Sequence, residues 1–143
     1  MEVQVGTAAV VVKNGSFLVI RRAMKDEIGK ESSWTLPGGR VENYEDPNKS
    51  VLREVKEETG LNVSLIKPIF VWTGRKGSLW RIVIHYLCKY KSGKVKLSKE
   101  HSEFKWIDFK DLEKVKLEKW VKERAKTAME ELKLNRKSFK LSK

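Results

Sequence analysis

Three glutamates on one short segment, Glu54, Glu57 and Glu58, have the residue type and spacing best suited to chemistry in this chain. At about 100° per residue of helix they fall within an arc of roughly 100°. Like charges three or four residues apart cost about 0.2–0.5 kcal/mol per pair, and a row of glutamates is ordinarily a solvated face. Converging carboxylates also make a hard-oxygen site, suited to Mg²⁺ or Mn²⁺ and poorly suited to softer metals. One turn before Glu54 stand Ser50 and Val51, so no Lys or Arg on the helix is expected to neutralise it. Only Glu57 has a partner at helical spacing, Arg53.

The segment carrying these glutamates has both helix signals. Asp46-Pro47 supplies an N-cap and a proline at the first helical position, and Gly60 supplies the stop. The spacing predicts a helix over Pro47 to Thr59, roughly 20 Å long. Leu52, Val55 and Thr59 lie roughly 100–160° round from Glu54 and should face a core. Upstream, two β-prone runs flank Asn14-Gly15, a hairpin signal. Residues 22–33 read as a loop, and Trp34 to Gly39 is a short apolar segment broken by Pro37 and two glycines. Downstream come two β-prone runs, Leu61 to Thr73, bent at Pro68, and Leu79 to Tyr90. Gly74 to Ser78 and Ser92-Gly93 mark the turns. Phe104 to Ile107 is a further short strand. Leu117, Val121, Ala125, Ala128 and Leu132 form the stripe of a second helix, with Trp120 at its edge. Residues 1–133 thus read as a single α/β domain, and 134–143 as a basic tail without periodicity, free to fray.

The whole composition suits one domain: 143 residues, 40% of them apolar. No run approaches the roughly 20 apolar residues of a membrane span, and Met1 to Gln4 does not open a secretory signal. Cys88 is the lone cysteine, which excludes an intramolecular disulfide and a cysteine-based zinc site. A cytoplasmic protein is expected. Thirty-one Lys and Arg against 19 Asp and Glu give a net charge of +12, which attracts polyanions. The lysines are interspersed with glutamates, so a solvated surface is the favoured reading and a nucleic-acid partner is not expected.

The stretch GRVENYEDPNKSVLREVKEETGL, Gly39 to Leu61, resembles the Nudix box at every position: Gly39, Glu45, Arg53, Glu54, Val55, Glu57, Glu58, Gly60 and Leu61. A chance match at a given start is on the order of one in a billion. The Leu36 to Gly39 lead-in and the Trp106 strand are also similar to the family. The resemblance implies an α/β/α sandwich around a mixed β-sheet and hydrolysis of a phosphoanhydride bond in a nucleoside diphosphate linked to another group. It further implies Mg²⁺, with Mn²⁺ as substitute, held by Glu57 and Glu58, by Glu54 as ligand or general base, and by the Gly39 carbonyl. Arg53 would orient a glutamate through a bidentate pair, and Glu45 would anchor the loop.

Outside the box, the same resemblance implies that Glu103 or Glu100 supplies a further ligand or base and that Arg22, and with it Arg40, contacts phosphate. Trp106 and Trp120 are expected to pack in the core. His85 and His101 have no partner spacing that argues for chemistry, so both read as structural. The rival to an enzyme is a Nudix-fold module binding RNA or DNA, or an RNA-cap hydrolase, but the box is intact. Among small-molecule nucleotides, ADP-ribose or a similar derivative is the favoured substrate. The oligomeric state is open, a homodimer included.

Overall fold

The computed structural model describes residues 1–23 and 33–141, with side chains of the last helix as far as Leu134. Most of the expected loop at 22–33 therefore lies outside the described residues. Strands β1 (Glu2–Lys13) and β2 (Ser16–Arg22) form the hairpin expected around Asn14-Gly15. Both turn residues have positive φ, 49° and 79°, the backbone that a two-residue turn matching strand twist demands. The short pieces β3 (Trp34–Thr35) and β4 (Gly38–Arg40) come next.

Helix α1 covers Pro47–Thr59, as predicted. The Asp46 side chain accepts from the Asn48 amide at 2.8 Å, and Gly60 closes the helix at φ 75°. Strands β5 (Asn62–Lys76), β6 (Leu79–Ser92) and β7 (His101–Asp108) then precede α2 (Lys119–Leu141). β5 is longer than expected: Gly74 to Lys76 stay paired with β6, so the turn contracts to Gly77-Ser78. The expected bend at Pro68 is a pair of register shifts on either side of it. The α2 backbone runs to Leu141, beyond the end of the apolar stripe at Leu132.

The sheet is mixed. β1 lies parallel to β6 and antiparallel to β2 and β4, β2 also pairs with β3 and β7, and β5 forms an edge beyond β6. Alternation along the strands sorts side chains to two faces. Ala9, Val11, Leu18 and Ile20 meet Val51 and Val55 of α1, while Ala8, Val10, Phe17 and Val19 meet Val121, Ala125 and Ala128 of α2. One helix layer on each side gives the expected α/β/α sandwich. Among the described residues no helix is long and apolar enough to cross a membrane.

Candidate functional site

Arg53 sits at the centre of the α1 surface. Its Nε and Nη2 donate to the two carboxylate oxygens of Glu45 at 2.7 and 2.9 Å, a bidentate pair. Nη1 reaches Glu54 at 2.9 Å and Glu57 at 3.1 Å, and Nη2 also donates to the Arg40 carbonyl at 3.2 Å. The guanidinium thereby ties the loop before α1 and strand β4 to two helix glutamates. The expectation that no cation on the helix neutralises Glu54 is overturned. Arg53 precedes it directly, and the long side chain reaches a neighbour that helical spacing does not pair with it. Glu45 is held down to a pKa of about 2, chiefly by the Arg53 hydrogen bonds and then by the Glu42 amide.

The other two box positions are more buried. Burial raises the Glu54 pKa against the lowering effect of Arg53. Its carboxylate lies where a Cβ on Gly39 would stand, so only glycine lets β4 pass this close to the helix. Glu58 is 8% exposed. Desolvation raises its pKa to about 7, opposed by a 2.8 Å hydrogen bond from the Gly38 amide. Its second oxygen lies 3.2 Å from His101 Nε2. Glu57, by contrast, has a side chain 58% exposed. Among the described residues no three acidic or histidine side chains are gathered around one cation position. The carboxylates share a region but are held by Arg53, Gly38 and His101.

His101 was not legible as part of this cluster, because its partner lies 43 residues away in sequence and no spacing rule connects them. The segment before β7 is pinned to the last turn of α1 by Lys96 N–H to the Thr59 carbonyl and Ser98 N–H to the Glu58 carbonyl. A register shift between Arg21 and Arg22 then sets Arg22 opposite His101 rather than Ser102. Arg22 and His101 line one cavity with Gly39, Arg40 and Glu58, about 400 Å³ in volume.

A model of the NUDIX domain matches residues 3–131. The chain belongs to the Nudix family. It is 35% identical over 104 residues to a MutT-like protein of Streptomyces ambofaciens, a match covering 72% of this chain and 62% of that one, so it spans under two thirds of that relative's length. It is 28% identical over 115 residues to the nucleoside triphosphatase NudI of Escherichia coli, covering 71% of this chain and 79% of the other. Among solved structures, a MutT protein from Methanosarcina mazei Go1 superposes with a TM-score of 0.75 at 26% identity, over 92% of this chain and 96% of that one. Nudix hydrolases generally require a divalent metal.

Within this Nudix domain the two late glutamates separate. Glu103 pairs with Arg21 at 2.9 Å across the β2–β7 ladder, and Arg21 also packs on the Trp34 ring at 4.4 Å. Glu100 instead lies close enough to Glu58 to raise its pKa, and its carbonyl accepts from the Ala23 amide. Trp106 packs in the α1-side core as expected, whereas Trp120 is 38% exposed and lines the cavity.

Proposed function

We propose that this Nudix domain hydrolyses a phosphoanhydride bond of a nucleotide with the help of a divalent cation, Mg²⁺ by preference and Mn²⁺ as substitute. The observation that carries this reading is the Arg53 network on α1 next to Glu58, which lines a cavity whose wall includes three arginines, Arg22, Arg40 and Arg81. The donor set fits a hard cation: three carboxylates, Glu54, Glu57 and Glu58, with the Gly39 carbonyl, all oxygen. Gly39 itself supports the fit, since its missing side chain is what lets Glu54 lie against β4. A divalent ion bound there polarises phosphoryl oxygens and makes water more acidic.

The chain's own residues do the positioning. Arg53, anchored by Glu45, orients Glu54 and Glu57. Arg22 and Arg40 receive phosphate oxygens. Glu54 serves either as a ligand or as the group that accepts a proton from the attacking water. Glu100 is better placed than Glu103 to contribute a further carboxylate, because Arg21 holds Glu103.

For substrate, the likeness to the nucleoside triphosphatase NudI and the three cavity arginines favour a nucleoside triphosphate over ADP-ribose. Initial rates with nucleoside triphosphates, ADP-ribose and dinucleoside polyphosphates, each with Mg²⁺ and with excess EDTA, test both parts. Triphosphates should be cleaved fastest and chelator should abolish turnover. Full turnover in EDTA would remove the metal-dependent reading, and faster cleavage of ADP-ribose would reverse the order of substrates.

A further inference from the structure

We propose that His101 is the positioning residue of Glu58, holding its carboxylate in the orientation a divalent cation needs, with Ser98 setting the imidazole tautomer. The inference rests on the metal-dependent reading above and gives a role to a residue that reading leaves unused. Arg53 donates to Glu45, Glu54 and Glu57, but its hydrogen bonds do not extend to Glu58. Glu58 is fixed by two other donors. Its Oε1 accepts from the Gly38 amide at 2.8 Å, and its Oε2 lies 3.2 Å from His101 Nε2. One donor on each oxygen sets the plane of the carboxylate and leaves further lone pairs for a cation. A carboxylate that binds a cation is ionised and can only accept, so the neutral imidazole carries its hydrogen on Nε2. Nδ1 is then an acceptor, and the Ser98 hydroxyl lies 3.3 Å from it.

The backbone places this relay. The last carbonyls of a helix have no partner within it, and the segment before β7 supplies two for α1. Lys96 N–H donates to the Thr59 carbonyl at 2.8 Å, and Ser98 N–H to the Glu58 carbonyl at 3.1 Å. Ser98 is thus tied by its amide to the residue that its hydroxyl serves through His101. The His101 amide returns to the Ser98 carbonyl at 3.1 Å, a turn that sets the ring beside that hydroxyl. The β2–β7 ladder fixes the strand start, with Arg22 opposite His101. The His101 side chain is only 4% exposed and that of Glu58 11%, so little water competes for their contact. A histidine kept for packing alone would not need its hydrogen on one particular nitrogen.

Mn²⁺ affinity, read without substrate from the electron paramagnetic resonance signal of the free ion, tests the role apart from turnover. His101→Ala should weaken binding on the order of ten-fold or more. His101→Gln places an amide N–H near the position of Nε2 and should recover most of the affinity. His101→Asn places it near Nδ1 and should not. Ser98→Ala should cost a few-fold, and His85→Gln, at the other histidine of the chain, should bind as wild type does. Urea denaturation in EDTA follows folding separately, and if His101→Ala does not fold, the Gln and Asn pair decides. Unchanged affinity in His101→Ala, or equal affinities in the Gln and Asn variants, would overturn the positioning role even if wild type hydrolyses nucleotides. If wild type binds Mn²⁺ and the variants follow the expected order but no nucleotide is cleaved, the hydrolase reading fails while the role of His101 stands. A wild type that binds no Mn²⁺ removes the cation site and the role of His101 with it.

Discussion

Two arginines on opposite faces of the sheet are held by different physics. Arg53 is surrounded by carboxylates, and its pKa is raised, first by the hydrogen bonds to Glu45. Arg124 is more deeply buried, has a lowered pKa because of desolvation, and is held by a neutral imidazole, a hydroxyl and a phenyl ring. The first offsets repulsion among glutamates that approach one another on a helix. The second supplies rigidity and a fork of donors where a counter-ion would bring another charge to be desolvated. The α1 side is therefore built around charge, and the α2 side around packing. Substitutions on the two sides should fail in different ways.

The largest effect is expected at Arg53. Arg53→Ala releases Glu54 and Glu57 and frees the loop at Glu45, so kcat should fall by about a hundred-fold or more in steady-state assays with Mg²⁺. Arg53→Lys should recover little, because an ammonium cannot make the bidentate pair with Glu45 while reaching two other carboxylates. A lysine variant with near-normal kcat would mean that charge alone suffices.

Arg124→Ala should instead act on folding, costing about 2–4 kcal/mol through lost packing and a broken buried hydrogen bond. Chemical denaturation measures the loss, and kcat at saturating substrate should stay within a few-fold for the folded fraction. Equal kcat losses in the Arg53→Ala and Arg124→Ala proteins would erase the distinction between the two faces.

The smallest effects are in pH dependence, and they carry opposite signs. Below pH 6.5 the unfolded chain protonates His85 while the folded protein refuses the proton down to about pH 4, so this residue removes stability as pH falls through that window. Glu58 does the reverse. Between pH 4.5 and about 7 the unfolded chain gives up a proton that the folded metal-free protein keeps, so stability falls as pH rises. In EDTA, His85→Gln should flatten the acid-side loss. Glu58→Gln should melt higher than wild type at pH 8, by on the order of 1–3 kcal/mol, and lose that advantage near pH 4.5. The amide can still accept from Gly38 and donate to His101. A Glu58→Gln protein less stable than wild type at pH 8 would show that the folded state prefers the carboxylate.

Local patterns carried far in this chain. Asp46-Pro47 and Gly60 bounded α1 because cap chemistry acts within a few residues, and Asn14-Gly15 set the first hairpin for the same reason. The apolar stripe of α2 marked its buried face, but not the helix's continuation to Leu141, since a stripe reports burial and not backbone state. Arg22 and Arg40 were expected to contact phosphate, Arg22 from the resemblance to the family, and both line the cavity. Glu103 and Glu100 were named together from the resemblance, and Glu103 pairs with Arg21, because a family position does not specify which neighbour a long side chain will meet.

What the sequence by itself determined was the family, the α1 helix and the set of box residues, because these depend on contiguous residues and on spacing along one helix. Which groups those residues touch was decided by the tertiary structure. The pairing of Glu58 with His101 depends on a register shift in β7, the Arg124–His85–Trp120 stack joins α2 to β6, and the Cβ-free approach of Gly39 to Glu54 joins β4 to α1. Each requires two elements to meet at a fixed register and depth, and the energy that selects that meeting is packing and desolvation summed over the whole sandwich, which no local pattern records.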